Sequence, residues 1–128
     1  MASLRGGGDL WTATSGTGIT QNAVSAPVFV GSAPYVSLFI KGGATASVFK
    51  VQVTGIAADR PGINELDQTV GGGATWYDYD GALTLTVGIS TNVAFDLSPF
   101  APSIIRLVRT DAAAATDISA LVVTNGPN

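Results

Sequence analysis

The sequence predicts an all-β fold, a single β-sandwich or jelly roll of about eight strands, and three observations carry that expectation. Val, Ile, Thr, Phe and Tyr recur in short runs, several of which alternate apolar and polar side chains with period two. Gly, Pro and Asn punctuate these runs about every eight to twelve residues, as turns between short strands do. No stretch has the periodicity of a helix, and the alanine-rich run Asp111–Thr116 is too short to nucleate one, so it reads as a turn or a single helical turn. With 128 residues the chain is long enough for one hydrophobic core and too short for two.

Taken in order, residues 1–10 read as a flexible N-terminal arm, because MASLRGGG has no periodicity and ends in three glycines. Residues 11–128 form the predicted sandwich. The clearest strand is Ser47–Thr54, with Phe49, Val51 and Val53 on one face and Lys50, Gln52 and Thr54 on the other. Ala82–Gly88 repeats the pattern through Leu83, Leu85 and Val87, and Val93, Phe95 and Leu97 do so with Asp96 turned outward. Further strands are expected at Ile19–Val24, Val28–Val30, Tyr35–Lys41, Ile104–Arg109 and Ile118–Thr124.

Two of these, Tyr35–Ile40 and Ile118–Val123, are apolar on both faces, which implies a second covering layer such as a partner subunit. Between the strands, residues 55–75 form one long connection without periodicity, and it carries Asp59, Arg60, Glu65 and Asp67. Connections of that length are commonly functional or disordered. This one is expected to project from one end of the sandwich.

Composition narrows the function. Charged residues make up 12% of the chain, about half the roughly 25% of an ordinary soluble domain. Apolar residues reach 46%, and the mean hydropathy is +0.38. Either small polar residues solvate a neutral surface, or part of that surface is an interface, since interface cores are depleted in charge. Six basic against nine acidic residues give a net charge of −3, with no basic footprint for holding phosphates, so nucleic acid is not an expected partner. The most apolar stretch, Val28–Ile40, is too short to span a bilayer and is broken by Gly31 and Pro34, so neither a membrane span nor a classical signal peptide is expected.

The same inventory argues against catalysis. The chain has no histidine and no cysteine, which removes the commonest general base, the Ser-His-Asp triad, thiol chemistry and thiolate metal sites. A Ser-x-x-Lys spacing at Ser47 and Lys50 lies within the best strand, where residues three apart face opposite sides and cannot activate one another. Within Trp76–Gly81 (WYDYDG), Asp78 and Asp80 lack the rest of a calcium loop and the cross-cleft placement of a glycosidase pair, so a polar strand end turning at Asp80-Gly81 is the simpler reading. Alternation would send Trp76 into the core and Tyr77 and Tyr79 to the surface. Neither a cofactor nor a metal is expected, and the chain is not expected to be an enzyme.

The succession Trp76-Tyr77-Asp78, Ala94-Phe95-Asp96-Leu97-Ser98-Pro99-Phe100, Ile104-Ile105-Arg106-Leu107 and Thr116-Asp117-Ile118-Ser119-Ala120 is similar to that of bacteriophage capsid decoration proteins and related small virion β-sandwich proteins. The resemblance runs from about Phe39 to Val123 in the order of elements and departs at the 55–75 loop. It implies a cement protein on the outside of an icosahedral shell, with the major capsid protein as partner, a homo-oligomeric state and a virion location. The expected contact residues are Leu4, Arg5 and Trp11 at the arm, Arg60 and Leu66 in the long loop, and Tyr77 and Tyr79. The competing expectation is a carbohydrate- or receptor-binding module of a phage tail or fibre, using Tyr77, Tyr79, Asp78 and Asp80.

Overall fold

The computed structural model describes residues 4–31, 35–55, 76–79, 83–97 and 103–126. They form nine strands: β1 (Leu4–Trp11), β2 (Val28–Gly31), β3 (Tyr35–Lys41), β4 (Ser47–Gly55), β5 (Tyr77–Asp78), β6 (Thr84–Val87), β7 (Asn92–Leu97), β8 (Ser103–Arg109) and β9 (Ser119–Gly126). The described residues contain no α-helix.

Two antiparallel sheets result, one ordered β1-β9-β3-β7 and the other β2-β8-β4, with β5 and β6 both pairing with β4. Gln52–Val53 pair with Asp78–Tyr77, and Ser47–Lys50 pair with Val87–Thr84, so β5 and β6 are two parts of one edge strand. Between them, the Leu83 N–H donates to Tyr79 O at 3.1 Å. Counted this way, the pairs nest: first strand with last (β1·β9), second with second-last (β2·β8), β3 with β7, and β4 with β5/β6. A single long antiparallel hairpin wrapped over two sheets gives that nesting, which is the topology of an eight-stranded jelly roll.

The core lies between the sheets. From the first come Val36, Leu38, Ile40, Leu97, Ala120 and Val122; from the second come Val28, Val30, Phe49, Val51, Leu85, Val87, Ile105 and Leu107, all buried. These are the inward positions that period two predicts for β3, β4, β6, β7 and β9. At its centre Trp11 packs on Phe49 with ring centroids 5.6 Å apart and planes tilted by 56°, an arrangement favoured by the ring quadrupoles.

Three expectations are corrected. The arm expected over residues 1–10 is, from Leu4 onward, strand β1, paired with β9 from Leu4↔Gly126 to Asp9↔Leu121. A bulge between Asp9 and Trp11 lets the successive residues Leu10 and Trp11 both turn inward. The strand expected at Ile19–Val24 is a loop held by two isolated bridges, Ile19↔Thr116 and Val24↔Val108. Finally, Trp76 is only half-buried, and Tyr79 rather than Trp76 packs against the core. Alternation fails there because β5 is only two residues long.

The turn expected at Asp111–Thr116 is fastened by a buried arginine. Arg109 has no exposed surface. Its Nε and one terminal nitrogen each donate to the Asp111 carboxylate at 2.9 Å, and the same terminal nitrogen donates to Ala114 O at 3.0 Å. The other terminal nitrogen donates to Ile19 O. Asp111 also accepts from the Val48 N–H at 2.7 Å and the Ala113 N–H at 3.1 Å. One charge pair thus ties the Ile19 loop, the start of β4 and the β8–β9 turn together, with the buried guanidinium satisfied as burial demands.

Candidate functional site

The outer faces of the two sheets differ. On the β2-β8-β4 sheet one part of the outer face is a polar network, beside a row of Phe29, Ile104 and Thr54 in which Phe29 is exposed. Lys50 Nζ lies 3.1 Å from Asp78 Oδ1, and Gln52 donates to the same oxygen at 3.2 Å. Arg106 Nε donates to Gln52 Oε1 at 2.9 Å, and its guanidinium sits 4.0 Å above the Trp76 ring. The Gln52 hydrogen bond, and then Lys50, hold the Asp78 carboxyl below its ordinary pKa. Each of these charges already has a partner within the sheet.

The outer face of the β1-β9-β3-β7 sheet carries an apolar patch at its centre. Register lays its side chains in rows across the strands. Asp9, Leu121, Phe39 and Ala94 form one row. Gly7, Val123, Ser37 and Asp96 form the next, and Lys41 lies beyond the first row between Ser119 and Asn92. Phe39 is 44% exposed, Leu121 40% and Tyr35 65%. On an outward-facing row these values mark apolar rings and methyls left in water. A shallow groove of about 590 Å³ opens here, lined by Asp9, Trp11, Phe39, Lys41, Ala94 and Leu121 among others. A second lies against Tyr35, Ser37, Phe39, Val123 and Asn125. The chemistry this face offers is burial of apolar surface, with Lys41, Asp9 and Asp96 as a charged rim.

The residues singled out from sequence do not converge on this surface. Leu4 and Arg5 lie in β1, opposite Gly126 and Asn125. Trp11 is 4% exposed: it is a core residue, and the expectation that it anchors a contact is corrected by its packing on Phe49. Arg60, Leu66 and Asp80 lie outside the described residues, as does the loop between β4 and β5. Tyr77 is 60% exposed on the edge strand, whereas Tyr79 packs against the core. The two tyrosines therefore do not form a stacking platform, and Asp78 beside them is engaged by Lys50 and Gln52. Ser47 is buried on the core side and Lys50 lies on the outer face, the separation that strand geometry requires.

Among the described residues no cluster of three or more potential ligands could hold a metal ion, and no helix is long and apolar enough to cross a membrane. Sequence reasoning did not single out Phe39, Leu121 and Tyr35 as contact residues. The signal that finds them is the second apolar face of β3 and β9, which becomes a patch only when the register sets Phe39 opposite Leu121. Compared with known proteins, the chain matches no protein-family model and no curated protein sequence.

Proposed function

We propose that this chain is a structural protein of a virus particle, a decoration or cement protein that docks on the outer surface of the capsid and stabilises contacts between capsid subunits. The observation that carries the reading is the exposed row Leu121–Phe39–Ala94 with Tyr35 beside it, an apolar sheet face with nothing of the described chain over it. An isolated monomer gains nothing from that face, whereas a stoichiometric component of an assembly buries it at every copy. The low charge, the absence of histidine and cysteine, and the resemblance of the segment order after Trp76 to phage decoration proteins all support the same reading. Jelly rolls recur in viral capsid proteins, an agreement at the level of fold.

The test is to locate and count the protein in purified particles by electron microscopy and quantitative mass spectrometry. The expected result is many copies spread over the shell, and particles lacking the protein that assemble but break at lower temperature. Re-addition of the F39S/L121S double variant is expected to restore neither occupancy nor heat resistance. A few copies at a single vertex, or none, would overturn the reading.

A further inference from the structure

We propose that the protein self-associates through the outer edge of β7, which among the described residues pairs only with β3, with two copies pairing antiparallel about a two-fold axis at Ala94.

An unpaired strand edge is a template for another strand, and proteins blunt it with bulges, short length, proline, charged side chains or a covering segment. The two sheets have four edges. The β1 edge carries a bulge at Asp9/Trp11 and a glycine, Gly7, at φ +119°. The β2 edge is four residues long, follows Pro27 and is bulged between Phe29 and Gly31. The β5/β6 edge is interrupted between Asp78 and Thr84. Strand β7 has no bulge, proline or break: its six residues run in unbroken register with β3, and Asp96 is its one charge.

The direction of its free backbone groups follows from the adjoining turn. The Gly42 N–H donates to Thr91 O at 3.0 Å, and hydrogen-bonded pairs alternate along an antiparallel ladder. Val93 and Phe95 therefore bond to Ile40 and Leu38, while Asn92, Ala94 and Asp96 turn their N–H and C=O groups away from β3. Among the described residues these groups have no other backbone partner.

Placing Ala94 opposite Ala94 of a second copy sets Asn92 opposite Asp96 of that copy, so all three outward residues are used at once. The Asn92 amide then donates to a carboxylate, and the two copies of Asp96 never face each other. Ala94, the smallest side chain available there, lies on the axis. On the core side, Val93 and Phe95 are only partly buried, and this register lays each against the other across the junction. The pairing rests on the edge alone. Its consequence bears on the proposed function: the outer face of one four-stranded sheet, polar rim included, extends over about 400 Å² by strand spacing and rise, and the joined sheet over about 800 Å², the size of one side of a standard protein interface.

Sedimentation equilibrium of the purified full chain, from low to high micromolar concentration, tests the pairing without any capsid present, so its outcome is separate from that of shell binding. The wild type is expected to dimerise reversibly. Ala94→Pro removes an outward N–H and leaves the bonds to β3 intact; it is expected to be monomeric with its cooperative unfolding preserved. Asn92→Asp, at an exposed position, sets carboxylates opposite each other twice and is expected to weaken association about tenfold, whereas Asn92→Lys retains or tightens it. If Ala94→Pro fails to fold, the Asn92 pair decides. A monomer at every concentration, a dimer indifferent to Ala94→Pro and Asn92→Asp, or assembly only with a different protein overturns the proposal.

Discussion

Arg109 is the side chain on which most local structure depends. Removing it takes the charged partner from the Asp111 carboxylate, which keeps the Val48 and Ala113 N–H groups, and strips a side-chain donor from the carbonyls of Ile19 and Ala114. Arg109→Ala is therefore expected to cost about 3–5 kcal/mol in urea unfolding, the scale of a broken buried ion pair. Arg109→Lys should recover only part of that, because an ammonium cannot reproduce the planar fork. The pairing also sets an acid limit. The Arg109 hydrogen bond, aided by the Val48 and Ala113 N–H groups and opposed by partial burial, holds the Asp111 carboxyl well below the usual carboxylate range. A depressed folded-state value means that the stabilisation is complete above the unfolded-state value near about pH 4 and is lost as pH falls from there toward the folded-state value. The melting temperature of the wild type should thus fall more steeply below that pH than that of Asp111→Asn. Equal slopes would remove Asp111 from the account.

Strands whose inward residues alternate without interruption were legible in the sequence: Phe49-Val51-Val53, Leu85-Val87 and Val93-Phe95-Leu97 lie where period two puts them, whereas Leu83, expected on the same face as Leu85, precedes β6 and is exposed. Strand β1 was not, because Gly6-Gly7-Gly8 carries no side-chain periodicity and its partner, β9, is more than a hundred residues away in sequence. Trp76 and Tyr79 were misassigned for a related reason: alternation presumes a continuous strand, and the chain leaves the ladder after Asp78. The glycines of β1 also separate two ideas of that segment. Gly7 has φ +119°, and a Cβ there would fall 1.9 Å from Val122 O, whereas a Cβ on Gly8 would meet Val28 methyls at an ordinary 3.6 Å. Gly7→Ala should cost about 1–3 kcal/mol, and Gly8→Ala should be neutral or stabilise by a few tenths to about 1 kcal/mol. In a flexible arm the two substitutions would have equal and negligible effects, so paired thermal melts of the variants decide the matter.

For the whole molecule, the division of labour between the two sides of the β1-β9-β3-β7 sheet decides how stability and assembly are linked. Leu38 and Phe39 are neighbours on one strand, yet Leu38 is fully buried and Phe39 is 44% exposed. Period two has assigned one to the core and the other to solvent. Leu38→Ser should unfold the protein or cost about 3–5 kcal/mol, since it leaves a cavity and buries a hydroxyl. Phe39→Ser with Leu121→Ser should stay within about 1 kcal/mol of the wild type in chemical denaturation, because surface side chains contribute little to folding. That contrast makes the outer face separable from the fold, as a surface kept for another molecule must be. The double variant should also keep the self-association assigned to the β7 edge, since neither substitution lies in that strand, as sedimentation against concentration would reveal. A loss of several kcal/mol in the double variant would place Phe39 and Leu121 among the residues that fold the chain, and the apolar face would then need no partner to explain it.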